Sequence, residues 1–357
     1  MEFNEGLYFS ILILDLVSLV DDMRHRRKSI ESITIQYNFL KAVMVTLQDV
    51  QQAYNVLSPV VHRTPLLSSS TFNLMNGNTV YFKAENLQRI GAFKFRGAYN
   101  KIASLSEEER KRGVIAHSSG NHAQGVALAA KLFGIKAVVV MPHDSVTSKV
   151  EATKGYGAEV IFCGTLTGDR ERTTAEQIEK HGYTLLHPYN DPKLIAGQGT
   201  AALEAMQDLK ELDYLFVPVG GGGLISGSAI AAKGLCPTVK VIGVETEGAN
   251  DCYHTFREKR ICKLEKANTI ADGMRTLSVG TLNFEIIMNY VDDVITISDD
   301  DIFPMMKFFL ERMKTLVEPT GAVASAAIMK NAMGLKGKKV CAILSGGNVD
   351  TSVLSRL

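Results

Sequence analysis

Four short segments of this sequence combine residue types that can hold and transform a small charged ligand. The first is Val217-Pro218-Val219-Gly220-Gly221-Gly222-Gly223-Leu224, an apolar strand that runs into four glycines and then a helix. Without Cβ atoms such a backbone can fold tightly and turn several N–H groups onto one anion at a helix N-terminus, so a phosphate suits it. Gly221, Gly223 and Gly227 also fit a dinucleotide spacing, with Glu245 placed as a ribose-binding acid would be, and the glycines alone leave that alternative open. The second segment, Gly91-Ala92-Phe93-Lys94-Phe95-Arg96-Gly97-Ala98, puts Lys94 at a helix start among apolar neighbours. Desolvation and the helix dipole both lower a lysine pKa there, which is what an amine nucleophile requires; a solvent-facing lysine is the ordinary alternative. The third, Ser118-Ser119-Gly120-Asn121-His122, follows a strand and opens a helix, offering hydroxyls, an amide and backbone N–H groups to a carboxylate. The fourth, Ser345-Gly346-Gly347-Asn348, follows the last strand and can set a hydroxyl against a ligand.

These loops need elements to hold them. Residues 46–57 read as an amphipathic helix, with Thr46 as N-cap and Leu47, Val50 and Tyr54 on one face. Residues 79–83 read as a strand, and 94–105 as a helix followed by a charged loop, SEEERKRG. Strands at 114–116, 137–141, 160–162 and 184–186 then alternate with helices at 123–133, 145–154 and 173–181. A second series runs from a strand at 215–219 through the helix after the glycines to a strand at 241–244, and closes with one at 340–344. Strands spaced by helices of this length mean βαβ units and parallel sheets covered on both faces. The expectation is an α/β protein of two open three-layer domains, mostly parallel, with ligands at the carboxyl ends of the strands. A boundary near residue 190 follows from the pattern alone.

Composition narrows the function classes. The 357 residues carry 39 Lys plus Arg against 38 Asp plus Glu, a net charge of +1, which argues against a nucleic-acid-binding surface as the main function. With 46% apolar and 22% charged residues, wholesale disorder is excluded. The five cysteines (Cys163, Cys236, Cys252, Cys262, Cys341) include no CxxC pair, so neither a disulfide framework nor a thiolate zinc site is indicated, and a reducing, cytoplasmic setting fits. Residues 7–20, LYFSILILDLVSLV, form the most apolar stretch. It is shorter than the roughly 20 residues of a membrane span, Asp15 interrupts it, and the acidic MEFNEG before it is unlike a signal peptide. An additional helix is the expected reading, with translation from Met44 as an alternative.

Taken in order, GAFKFRGA, HSSGNHAQGVALAAKL, VPVGGGGLISG, VEPTGA and LSGGNVD resemble the fold-type II enzymes that use pyridoxal 5′-phosphate, most of all serine racemases and threonine/serine dehydratases. The resemblance runs from about Thr46 to the C-terminus, and the dinucleotide alternative recedes because it leaves Lys94 and the serine loops without a role. It implies a tryptophan synthase β-like fold with the cofactor in a cleft between two domains. Residues 46–112 and 190–357 would form the large cofactor-binding domain and 113–189 the small one, with 1–45 an unmatched extension. It further implies that Lys94 carries the cofactor, that Gly220, Gly221, Gly222, Gly223 and Leu224 hold its phosphate, and that Asn121 contacts its 3′-oxygen. Ser118, Ser119, Asn121 and His122 would bind the substrate carboxylate, and Ser345 would face the pyridine nitrogen, where a neutral hydroxyl favours prompt elimination over a long-lived carbanion.

The implied activity is dehydration of L-serine or L-threonine to a 2-keto acid and ammonia, with Lys94 as general base. A primary serine racemase and a 3-hydroxyaspartate dehydratase are the alternatives. Racemisation needs a second acid/base on the opposite face, and Ser119 stands at the matching position. A catalytically silent amino-acid or nucleotide sensor is the reading from another class, and the intact Lys94, Ser119 and Asn121 argue against it. The resemblance also places Mg²⁺ or Ca²⁺ on Glu245, Ala249 and Asp251, an oxygen set suited to a hard cation. It places an ATP-type effector on Ser69, Ser70, Gln124, Tyr156, Lys314 and Asn348, at the interface of a homodimer. Two residues depart from the pattern: Ile90 stands where a polar residue often precedes the GxFK segment, and Tyr189 replaces a cofactor-contacting asparagine.

Overall fold

The computed structural model describes residues 45–357 apart from Thr167, so the expectations for residues 1–44, the apolar run included, lie outside the described residues. Thr46 caps the Leu47–Leu57 helix as its sequence requires. Its Oγ1 accepts from the Asp49 N–H at 3.3 Å while Asp49 Oδ2 accepts from the Thr46 N–H at 2.9 Å, a reciprocal pair that satisfies two helix-end donors. The charged stretch after residue 105 proves to be a short helix, Glu107–Arg112, rather than a loop. Ser106 and Glu109 cap it reciprocally, and its acids in the first turn and bases in the last complement the helix dipole.

Among the described residues ten strands build two sheets: β1 (Leu66–Ser68), β2 (Thr79–Lys83), β3 (Val114–His117), β4 (Ala137–Pro142), β5 (Glu159–Cys163), β6 (Thr184–Leu185), β7 (Tyr214–Pro218), β8 (Lys240–Thr246), β9 (Asp293–Ile297) and β10 (Lys339–Ile343). The larger sheet has the order β1-β2-β10-β7-β8-β9 and the smaller β5-β4-β3-β6. Every pairing is parallel except that of the edge strand β1 with β2. Helices cover both faces, which is why β4 buries five consecutive residues instead of alternating. Under the larger sheet, Phe72, Phe82, Phe308 and Phe309 pack edge to face at 5.1–5.4 Å.

Two helices connect the sheets to the region where the four chemical loops meet. The Lys94–Ala103 helix sends Phe95, Ala98 and Ile102 into the core shared with Ala116, Val139 and Met141 of the smaller sheet. The Pro192–Asp208 helix starts where Asp191 accepts the Lys193 and Leu194 N–H groups at 2.8 and 3.0 Å, with Pro192 in the first turn. It crosses the Gly223–Leu235 helix backbone to backbone. A Cβ on Gly199 would lie 2.5 Å from the Gly227 carbonyl oxygen, so only glycine fits at this crossing.

Between these elements lies a fully buried set of charges. Arg96 donates from Nε to Glu85 and from Nη1 to Glu204, both at 2.8 Å, and Lys83 Nζ donates to Glu204 at 2.5 Å and to the Thr64 carbonyl at 2.7 Å. Burial alone would pull the guanidinium pKa down and push that of Glu85 up; the mutual charges and hydrogen bonds reverse both shifts. Two cations meet two anions, so the set is neutral, and each member is costly to remove alone. Arg96→Met should therefore lower unfolding free energy by about 3–5 kcal/mol in urea titrations, since it strands carboxylate charge in the core.

Candidate active site

Because β2, β10, β7 and β8 are consecutive parallel neighbours, the segments at their carboxyl ends emerge side by side. In that order they carry Lys94, Ser345, the Gly220–Gly223 loop and Glu245. In the smaller sheet, β3 and β6 pair and lead into Ser118–Asn121 and His187–Tyr189. Hydrogen bonds join the two groups of loops. Lys94 Nζ donates to the Pro188 carbonyl at 2.7 Å, Asn121 Nδ2 to Glu318 at 2.7 Å, and Asn348 Nδ2 to Asn121 Oδ1 at 2.8 Å.

The Lys94 side chain is partly exposed, but its amine lies deep enough that desolvation brings its pKa down to about 8. The turn that delivers it is strained: Ile90 has φ 59° and Gly91 φ 69°. A β-branched residue in the left-handed region costs on the order of 1–3 kcal/mol, so the turn must be held from outside. The last loop holds it. Asn348 Nδ2 donates to the Ile90 carbonyl at 2.7 Å, the Gly347 N–H to Gly91 at 2.9 Å, and the Phe93 N–H to the Ser345 carbonyl at 3.1 Å.

In the glycine loop, no backbone N–H from Gly220 to Leu224 has an acceptor among the described residues. The Gly221 carbonyl, by contrast, is occupied by the Gly280 N–H at 3.1 Å and by Asn283 Nδ2 at 3.0 Å. A run of unpaired N–H groups at the start of a 13-residue helix is an anion cradle. Its glycines are obligatory: a Cβ on Gly221 would come within 2.2 Å of the Tyr189 ring, and Gly222 has φ 95°. Ser345 is buried and its Oγ has no partner among the described residues.

The serine loop divides its residues differently from expectation. Ser118 and Ser119 are partly exposed, and Ser118 Oγ accepts from the Gly120 N–H at 3.3 Å. The His122 ring is buried and its Nε2–H donates to the Leu186 carbonyl at 2.8 Å, leaving Nδ1 a bare acceptor. Burial and then the nearby Lys94 charge hold its pKa well below the usual value, so a neutral ring with no free N–H faces the interior, which ill suits its donating to a carboxylate. His187 Nδ1 accepts the Tyr189 and Asn190 N–H groups at 3.2 and 2.9 Å, and burial takes its pKa to about 3. Tyr189 stands edge-on to His187 at 4.7 Å, its pKa pushed up to about 12 by burial.

Glu245 and Asp251 are both fully buried. Glu245 accepts the Cys252 and Tyr253 N–H groups at 3.1 and 2.7 Å, whereas both Asp251 oxygens lack a partner among the described residues. Burial and then the neighbouring Asp251 charge drive Glu245 far up, and burial takes Asp251 to about 7. Two buried carboxylates next to the turn at Ala249 make a donor set suited to Mg²⁺ or Ca²⁺, though no group of three acidic, His or Cys side chains occurs among the described residues. Of the residues assigned to a nucleotide, Asn348 is bound into the active site through Asn121. Ser69 caps the Ser70–Asn76 helix, Gln124 is buried in the Asn121–Phe133 helix, Tyr156 ends the Thr147–Gly155 helix, and Lys314 donates to the carbonyl of Glu311.

Glu318 went unrecognised from sequence as a member of the site, although it lies in the VEPTGA motif. It is buried, holds Asn121, and its pKa is raised to about 7 by burial and then by the charge of Asp272. Nothing local marks it, because its partner Asn121 is 197 positions away.

The fold and site define a two-sheet α/β protein that presents a desolvated amine and an anion cradle beyond two strands of one sheet, β2 and β7, with β10 between them. The model of the family described as "Pyridoxal-phosphate dependent enzyme" matches residues 57–346. An L-threo-3-hydroxyaspartate ammonia-lyase of Saccharomyces cerevisiae is 48% identical over 308 residues, 86% of this chain and 94% of that protein. An L-threonine ammonia-lyase of Thermotoga maritima is 47% identical over 314 residues, 88% of this chain and 78% of that protein. The crystal structure of serine racemase from Dictyostelium discoideum matches with a TM-score of 0.82 at 46% identity, covering 86% of this chain and 99% of that one. The chain belongs to the pyridoxal-phosphate dependent enzyme family. The residues present fit the cofactor: an amine for its aldehyde, unpaired N–H groups for its phosphate, and a partnerless buried hydroxyl at Ser345.

The raised pKa of Glu318 has a signed consequence. Its folded value of about 7 exceeds the ordinary 4.5, so its favourable contribution is complete below the latter and is lost as the pH rises through 7. In the cofactor-free protein with chelator, thermal melts should show that loss in wild type and a flatter profile in Glu318→Gln. Asp251 titrates in the same range in both proteins, so the difference isolates Glu318.

Proposed function

We propose that the protein dehydrates a β-hydroxy-α-amino acid, L-serine or L-threonine, to the 2-keto acid and ammonia, and that Ser119 also permits racemisation of serine. The observation that carries this reading is the buried Lys94 amine, whose pKa of about 8 leaves an appreciable fraction unprotonated near neutral pH. The three relatives described above are named for threonine, 3-hydroxyaspartate and serine, which share a β-hydroxyl. Net conversion of serine gives pyruvate and ammonia, a balanced loss and return of one water.

The chemistry the cofactor supplies when bound is an electron sink beside the substrate Cα. Gly220, Gly221, Gly222, Gly223 and Leu224 hold its phosphate with backbone N–H groups, Asn121 meets its 3′-oxygen, and Ser345 offers a neutral hydroxyl to its ring nitrogen. Ser118, Ser119 and the N–H groups opening the Asn121–Phe133 helix orient the substrate carboxylate. The Lys94 amine takes the α-proton. Departure of the β-hydroxyl completes elimination. Returning a proton from the opposite face instead, at Ser119, yields the D-amino acid.

Several finer assignments belong to the same reading. The substrate enters between a large domain of residues 46–112 and 190–357 and a small one of 113–189. Mg²⁺ or Ca²⁺ binds Glu245, Asp251 and the Ala249 carbonyl, where it lets both buried carboxylates stay ionised. Two copies associate through a face that includes Leu74 and Met75, which are 86% and 67% exposed beside the effector residues Ser69 and Ser70. ATP modulates the enzyme there, and the setting is cytoplasmic; no helix among the described residues is long and apolar enough to cross a membrane.

Purified protein given L-serine should form pyruvate, with D-serine assayed separately; absence of both products while the cofactor is bound would end this reading. Lys94→Ala should abolish both products together with the visible absorption of the bound cofactor. Ser119→Ala should lower D-serine formation by about 10²–10⁴-fold, the weight of a general acid, while sparing pyruvate. Glu245→Gln should remove the rise in melting temperature that Mg²⁺ gives wild type.

A further inference from the structure

Gln198 sits in the Pro192–Asp208 helix with no surface exposed, and neither Oε1 nor Nε2 of its amide has a partner among the described residues. An amide buried in this way is costly unless something bonds to it, and a protein interior supplies such a partner as an ordered water or a ligand. The place of the side chain narrows the choice. Its Cγ lies 3.0 Å from where a Cβ on Gly97 would stand, in the helix that begins with Lys94. Its Oε1 lies 2.5 Å from the corresponding point on Gly223, the first residue of the helix behind the glycine loop. The amide thus spans from the lysine helix to the anion cradle.

The other side chain braced on that loop has a different task. Asn283 Nδ2 donates to the carbonyls of Tyr189 and Gly221, so it holds the loop by its acceptors. Gln198 is left with its amide free beside the unpaired N–H groups.

We propose that Gln198 is a side-chain member of the cradle, with Nε2 donating to an oxygen of the cofactor phosphate, directly or through one ordered water. The inference rests on the reading that the glycine loop holds that phosphate. A hydrogen bond to a charged oxygen is stronger than a neutral one, so the amide recovers on binding what it forgoes in the empty protein. The same logic gives a signature that a merely structural glutamine lacks. Replacing the amide with an apolar side chain of similar shape removes an unpaired buried group, so the empty protein keeps or gains stability while affinity falls.

The test uses wild type, Gln198→Met and Gln198→Glu, each stripped of cofactor and titrated separately with pyridoxal phosphate and with inorganic phosphate. Dissociation constants come from equilibrium dialysis and stability from thermal melts. The expected result is that Gln198→Met weakens both ligands by about tenfold or more, the weight of one charge-assisted hydrogen bond, without lowering the melting temperature of the empty protein. Gln198→Glu should weaken both further through charge repulsion. Unchanged affinity for both ligands in Gln198→Met and Gln198→Glu, while wild type binds them, overturns the role of Gln198. Wild type that binds neither ligand overturns the phosphate reading of the loop itself.

Discussion

The position of Lys94 depends on the buried charges two residues further along its helix. Arg96 reaches away from the apolar face that Phe95 and Ile102 pack into the smaller sheet, and meets Glu85, just past β2 of the larger sheet, and Glu204 of the Pro192–Asp208 helix. One helix is therefore pinned to two layers by opposite kinds of force: area burial on one side and charge pairing on the other. Charge pairing is the less forgiving, since a bidentate guanidinium tolerates little sliding, whereas apolar packing admits small adjustments. The amine consequently sits at a height fixed by Glu85 and Glu204, and the chain reaches its helix through the left-handed turn at Ile90 and Gly91.

Two neutral rings lie near that amine, and other groups of the site are held toward neutral forms. His122 and His187 both lie near Lys94 and both are held uncharged by burial. Glu318 has a raised pKa that leaves it partly protonated near neutrality, and Ser345 is a neutral hydroxyl. A fixed carboxylate in place of either ring would have held the Lys94 ammonium in its charged form and undone the effect of desolvation. The second acidic pair, Glu245 near the end of β8 and Asp251 just past it, lies on the far side of the glycine loop in strand order.

The fold was legible in the sequence wherever the apolar runs were short and regularly spaced. Strands β2 to β6, and the helices among them other than Glu107–Arg112, fall within a few residues of expectation, because parallel strands covered on both faces are largely apolar runs. The Pro192–Asp208 helix is absent from the expected elements; its Gly197 and Gly199 let it approach the Lys94–Ala103 and Gly223–Leu235 helices closely. The chemical loops were legible because each is contiguous. What supports them was not. Lys83 and Glu204 are 121 positions apart, and Arg96 and Glu204 are 108 apart, so no local pattern couples them. His122 shows the limit within a motif, where sequence offered a polar ring and packing turned it to the Leu186 carbonyl.

The place of β10 carries a further consequence, for the order in which the chain can assemble. Last in chain order among the described strands, it nevertheless lies between β2 and β7 in the interior of its sheet, and it leads straight into Ser345. The smaller sheet closes within residues 114–185 and can form early from near neighbours. The larger one must keep a gap open between β2 and β7 until residues 339–343 arrive to fill it. Until then the strained Lys94 turn lacks its braces at Ser345, Gly347 and Asn348. A chain made only as far as β9 thus holds a finished small sheet and an unbraced Lys94 turn, and the centre is completed by β10 and the loop after it.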